Sequence, residues 1–116
     1  MASLKDVDFR NRTAELAILI GESDARNRGY GTEATRLVLD HAFTTLSLRN
    51  VMLEVYANNQ AGVRAYEKAG FREFGRRTAA VEVAGKVFDV IYMECLASTF
   101  ESPALRNIFL PSEFGR

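Results

Sequence analysis

The chain has 116 residues, a hydrophobic fraction of 47% and 15 basic against 15 acidic side chains, the composition of one ordinary globular domain. That balance leaves no global field to draw nucleic acid or an anionic membrane, and neither a membrane-length apolar stretch nor a secretory signal is read in it. One cysteine, Cys95, excludes an internal disulfide framework and a cysteine-based metal cluster, and it suits a reducing cytoplasm.

Leu4 to Phe9 reads as a short, charged, peripheral strand. Asn11-Arg12 turns into a second strand, Thr13 to Gly21, whose apolar run from Ala14 to Ile20 marks it as buried. A polar loop, Glu22 to Arg28, precedes a helix from Tyr30 to about Leu48. Ala34, Leu37, Val38, Ala42 and Leu46 recur at spacings of three and four, which predicts one buried face. Leu48-Arg49-Asn50 ends that helix, and Val51 to Tyr56 is the next strand. Asn58-Asn59 then caps a second helix over residues 60–69, ended by Gly70. Two strands follow, Phe71 to Val83 and Lys86 to Leu96, turned at Ala84-Gly85. The order β-β-α-β-α-β-β predicts an α/β (α+β) fold with a mixed, largely antiparallel sheet and two main helices. There are no internal repeats and no low-complexity segment.

Arg26-Asn27-Arg28-Gly29-Tyr30-Gly31-Thr32 joins the apolar strand to the first helix. A strand that opens through glycines into a helix N-terminus suits phosphate, because the first amides lack intrahelical partners and the helix dipole adds positive charge. Gly29 and Gly31 let the backbone approach a ligand with no Cβ in the way. A P-loop reading fails, since no Gly-Lys-Ser/Thr follows the glycines.

Arg26-x-x-Gly29-x-Gly31 after a strand, then Asn59, then Tyr66-Glu67-Lys68-Ala69-Gly70-Phe71, resembles the GNAT superfamily of acyl-CoA-dependent N-acyltransferases. The run Gly29-Tyr30-Gly31-Thr32-Glu33-Ala34 is most similar to the branch with ribosomal-protein and polyamine acetyltransferases, and the likeness covers roughly residues 4 to 96. The resemblance implies that amides from Asn27 to Thr32 wrap the pyrophosphate of coenzyme A, with the Thr32 hydroxyl beside them. It implies that the strand around Ile18, Leu19 and Ile20 pairs with the pantetheine arm as with another strand. Asn59 falls where the family contacts pantetheine, with a plain helix cap as the alternative, and Arg64 or Lys68 could reach the phosphates.

The implied reaction is direct attack of a primary amine on the thioester of acetyl-CoA, with no metal. Tyr66 is then the general acid for the leaving thiolate, against an alternative as a packed core aromatic. A backbone N–H near Leu19 would meet the oxyanion. Glu15 and Glu54 are the candidate bases, each equally readable as a solvated strand charge, and alternation sets Glu15 opposite to Leu16, Ile18 and Ile20. Glu22, at the mouth of the site, is a third option. His41 reads as structural and Cys95 as a small core residue. Arg72, Arg76 and Arg77 read as a solvated strand face rather than a basic rim.

Measured against the family, the chain lacks an N-terminal half that normally covers one side of the site. The expected domain is residues 1–96, with residues 97–116 as a tail. Phe100, Leu105, Ile108, Phe109, Leu110 and Phe114 make that tail too apolar to idle, and Ala104 to Leu110 reads as a short docking helix closed by Pro111. An uncovered sheet predicts a homodimer, with exchanged strands as one way to form it. Two functional readings remain. One is a cytoplasmic N-acetyltransferase acting on a protein N-terminus, a polyamine or a small amine. The other is an inactive coenzyme A-binding or dimer-forming remnant.

Overall fold

The computed structural model describes residues 2–18 and 30–100. Within them lie β1 (Ala2–Asp8), β2 (Thr13–Ile18), α1 (Tyr30–Asp40), a π-helical turn (His41–Thr45), β3 (Asn50–Tyr56), α2 (Gln60–Ala69), β4 (Arg72–Val83) and β5 (Lys86–Leu96). The strands form one sheet in the order β1-β2-β3-β5-β4. Only β2 and β3 pair in parallel; β1–β2, β3–β5 and β4–β5 are antiparallel. A parallel pair needs a long crossover, and α1 lies in it. The α+β class, the order of elements and the two main helices all match the expectation.

Alternation gives the sheet two unlike faces. Ala14 and Leu16 of β2, Val51, Leu53 and Val55 of β3, and Ile91, Met93 and Cys95 of β5 are buried in one cluster with Leu39, Ala42 and Tyr66 from the helical side. The intervening residues, among them Glu15, Met52, Glu54, Tyr92 and Glu94, are partly or fully exposed on the opposite face.

The first helix departs from its predicted face. Leu37, expected inside, is 52% exposed, while Thr35, Leu39, Asp40 and Ala42 are each 0% exposed. Thr35 tolerates burial because its Oγ1 donates to the Gly31 carbonyl at 2.7 Å, and Asp40 Oδ1 accepts from Thr44 Oγ1 at 3.2 Å. An apolar-spacing rule cannot register polar side chains that satisfy themselves on their own helix. The regular helix also ends at Asp40 rather than near Leu48. Beyond it the backbone widens, with the Leu46 amide donating to the His41 carbonyl at 3.0 Å.

The core continues past β5. A turn carries the Phe100 amide to the Leu96 carbonyl at 3.1 Å, and the Phe100 ring packs on Phe43 with centroids 5.3 Å apart. Cys95 is 1% exposed, and burial pushes its thiol from 9.0 up to about 12. A raised folded-state value means that the neutral thiol's contribution is whole below about pH 9.0 and is lost as pH climbs towards 12. The urea midpoint of the wild-type chain is expected to fall more steeply over that window than that of Cys95→Ala. Parallel slopes would clear the thiol of any part in alkaline unfolding.

Candidate active site

The parallel ladder between β2 and β3 is short. Its partners are Thr13 with Asn50, Ala14 with Val51 and Glu15 with Met52, although β2 runs on to Ile18 and β3 to Tyr56. Each strand stays anchored on its outer side. Leu16, Ala17 and Ile18 pair with Leu4, Ser3 and Ala2 of β1, and Leu53 to Tyr56 pair with Met93 to Val90 of β5. The inner edges therefore part while both strands remain held, leaving backbone N–H and C=O groups without a ladder partner. An extended ligand that carries its own amides can complete such edges. Ile18 lies on the parting strand. Leu19, Ile20, Glu22, Arg26, Asn27, Arg28 and Gly29 lie outside the described residues.

The first turn of α1, beginning at Tyr30, stands against the middle of α2. Thr32 Oγ1 donates to the Ala65 carbonyl at 3.3 Å, across 33 residues of sequence. That bond ties the helix start of the glycine motif to the residue before Tyr66. It also commits the Thr32 hydroxyl proton, so what Thr32 offers an anion is its backbone N–H. The amides of a first helical turn are unpaired within the helix, whatever the side chains.

Asn59 caps α2: its Oδ1 accepts from the Gly62 amide at 2.9 Å, and its carbonyl accepts from Val63 at 3.0 Å. Gly62 makes room for this, since a Cβ there would lie 2.8 Å from Asn59 Cγ. At the other end Gly70, with φ of 121°, closes the helix, and both Gly70 and Phe71 amides return to the Tyr66 carbonyl at 3.2 and 3.0 Å. Tyr66 is thus fixed through its backbone. Its side chain is 2% exposed in the cluster that holds Leu16 and Val55, edge-on to Phe71 at 6.2 Å. Burial pushes its phenol from 10.0 up to about 12. Such a group keeps its proton at any physiological pH.

The carboxylates sort by partner. Glu15 sits across from Lys5, and their side chains form an ion pair at 3.4 Å. Glu94 takes the Asn50 amide at 3.1 Å and Arg72 at 3.5 Å. Glu54 lies opposite Tyr92 just past the last β2–β3 pair, exposed, and its carboxylate meets no cation or donor among the described residues. Around it the open face carries Tyr56 at 48% exposure and Phe74 at 52%, with Phe74 against Tyr92 at 6.2 Å. Tyr56, Phe74, Tyr92 and Glu94 were not anticipated as neighbours of a site. Alternation from Glu54 gives Tyr56 its face, but the other three need the antiparallel register of β5 and β4.

The remaining candidates fall elsewhere. Arg64 and Lys68 are exposed on α2, and His41 is exposed at the start of the π-helical turn. Arg76 is paired with Glu73 at 3.2 Å and Asp89 at 3.3 Å, and Arg77 lies exposed on β4. No group of three or more metal-ligating side chains occurs among the described residues.

Residues 1–72 match the sequence profile of the acetyltransferase (GNAT) domain. The chain belongs to the GNAT family. Spermidine N(1)-acetyltransferase of Vibrio cholerae is 29% identical over 100 residues, which span 86% of this chain and 57% of that enzyme. The Escherichia coli K12 enzyme of the same name is 28% identical over 93 residues, spanning 80% and 50%. The crystal structure of the Vibrio cholerae spermidine N-acetyltransferase with CoA and spermine superposes with a TM-score of 0.73 at 30% identity, covering 84% of this chain and 57% of that one. This GNAT chain therefore spans about half the length of the relatives it matches.

The two readings of Asn59 are separable. Asn59→Ala is expected to cost about 1 kcal/mol of stability through the lost cap, and Asn59→Asp to keep most of it. Urea titration of both variants checks the cap. Weaker acetyl-CoA binding in a stable Asn59→Asp chain would assign a ligand contact to the amide as well.

Proposed function

We propose that this GNAT domain transfers an acetyl group from acetyl-CoA to a primary amine, with a polyamine as the favoured acceptor class. The parting of β2 and β3 beyond Glu15 and Met52 carries the reading, since it offers an amide-bearing arm two backbone edges at once. The proposed phosphate cradle runs from Arg26 to Thr32, with Ile18, Leu19 and Ile20 along the arm. In this scheme the amine nitrogen attacks the thioester carbon, the C–N bond forms, and the C–S bond breaks. Glu54 takes the first proton of the attacking ammonium, directly or through water, the Tyr66 phenol protonates the departing thiolate, and the second proton, shed by nitrogen as the amide forms, restores the phenol. Glu54 is preferred over Glu15 because Lys5 already occupies Glu15.

The acceptor class rests on the open face, where carboxylates lie beside Tyr56, Tyr92 and Phe74. Carboxylates and ring faces both attract alkylammonium groups, and the relatives named above are spermidine acetyltransferases. A second copy roofing this exposed face would complete the acceptor wall, so the proposed working form is a homodimer. Its lone thiol suits a reducing cytoplasm. Those exposed rings also favour a second reading, a domain that binds coenzyme A without transferring from it.

Calorimetry with acetyl-CoA, followed by acetyl transfer to a panel of polyamines, small amines and peptide N-termini, tests the reading. Transfer is expected, with Tyr66→Phe and Glu54→Gln each lowering kcat by about 100-fold while binding of acetyl-CoA holds. Binding with no transfer to any amine would establish the second reading, and no binding would remove both. Sedimentation at low micromolar concentration tests the dimer, and a stable monomer there would refute it.

A further inference from the structure

Glu54, Tyr92 and Gly75 stand in one line across three strands, since Glu54 pairs with Tyr92 and Tyr92 with Gly75. Directly opposed residues share a face, so the line lies on the open face, and two strand spacings set its ends about 10 Å apart. The lines on either side are bulkier. Met52, Glu94 and Arg72 form one of them, tightened by the Arg72–Glu94 ion pair at 3.5 Å and steadied by Asn50 Nδ2 on Glu94 at 3.1 Å. Tyr56, Val90 and Arg77 form the other, with Tyr56 48% exposed. Between these raised rows runs a low strip whose outer end is a glycine.

Gly75 has no local reason to be glycine. Its φ is not left-handed, and a Cβ there would meet Tyr92 Cδ2 at 3.9 Å, an ordinary contact. A glycine inside a strand weakens it, and marks a bulge, a bend or the close approach of another molecule. The register does shift between Glu73 and Gly75, but only a left-handed bulge position demands glycine. What the missing side chain leaves is room above the strip, beside the Tyr92 ring and the half-exposed Phe74 that packs on it.

The proposed transfer needs an outlet of this kind. On the β2 side of Glu54 the parted strands are assigned to the coenzyme A arm. The body of an acceptor whose nitrogen lies at Glu54 therefore has to run the other way, across β5 and β4. We propose that it lies along Tyr92 and leaves over Gly75, which makes Gly75 the residue that sets acceptor length and bulk. The inference rests on the acetyl-transfer reading with Glu54 as the base. A strip one residue wide between long side chains admits an unbranched chain of methylenes, and the two rings give it apolar surface. A branched body, such as the backbone behind a peptide N-terminus, meets the Arg72 or Arg77 row.

The test measures acetyl transfer to ethylamine and to spermidine by the wild-type chain, Gly75→Ala and Gly75→Leu, with acetyl-CoA titrated into each by calorimetry. The ratio of kcat/KM for spermidine to that for ethylamine is expected to fall at least about tenfold in Gly75→Leu, through KM, and about threefold in Gly75→Ala. Unaltered affinity for acetyl-CoA confirms that a variant folds, and Gly75→Ala alone decides if Gly75→Leu loses it. A ratio that holds in a folded variant would overturn the proposal while leaving acetyl transfer intact. Wild-type chain that binds acetyl-CoA and acetylates neither amine would defeat the transfer reading itself, and this path with it.

Discussion

Everything that makes this sheet a candidate site depends on two parallel strands being held from outside while they separate inside. β2 keeps its hydrogen bonds to β1 and β3 keeps its bonds to β5, so neither strand frays where the ladder between them stops. Loss of parallel partners ordinarily exposes backbone groups at a cost comparable to lost hydrogen bonds. Here the cost falls on a few residues, and the antiparallel pairs on either side prevent the strands from closing the gap. A preformed opening of this sort spends little order on receiving an extended ligand.

The two faces of the sheet then divide the chemistry. On the helical side, Leu39, Val51, Leu53 and Met93 are almost fully dry, and they hold Tyr66 in surroundings where its phenol stays neutral. On the other side, Glu15 and Glu94 are balanced by Lys5 and Arg72, while Glu54 meets no cation among the described residues. A proton donor on the dry side and a proton acceptor on the wet side are the two groups that the proposed transfer requires. Glu54 owes its side to alternation along β3, and Tyr66 owes its side to α2 packing on the opposite face.

Small contacts hold these parts in register. The Thr32–Ala65 bond locks the start of α1 to α2, and the Gly70 turn fixes Tyr66 by returning two amides to its carbonyl. Gly62 gives Asn59 the space to cap α2, so the helix that presents Tyr66 is secured at both ends. None of these contacts is large, but each removes a degree of freedom between the proposed cofactor loop and the proposed acid.

Much of this was legible in the residues. Strong alternation and a capped, glycine-closed helix delimited β3, α2, β4 and β5 almost to the residue, because period, cap and turn are local properties. The glycine motif with Asn59 and Tyr66 was enough to indicate the family, since each motif stands at a junction of elements. The buried face of α1 was not legible, because Thr35 and Asp40 satisfy their polarity internally and Leu37 yields its place to them. Nor could one sequence say which of two strand carboxylates has a cation beside it. Lys5 reaches Glu15 only through the register of β1 on β2. The aromatic neighbours of Glu54 likewise come from β5 inserting between β3 and β4. Local chemistry was written in the sequence, whereas partners far along the chain were decided only when the sheet closed and set its register.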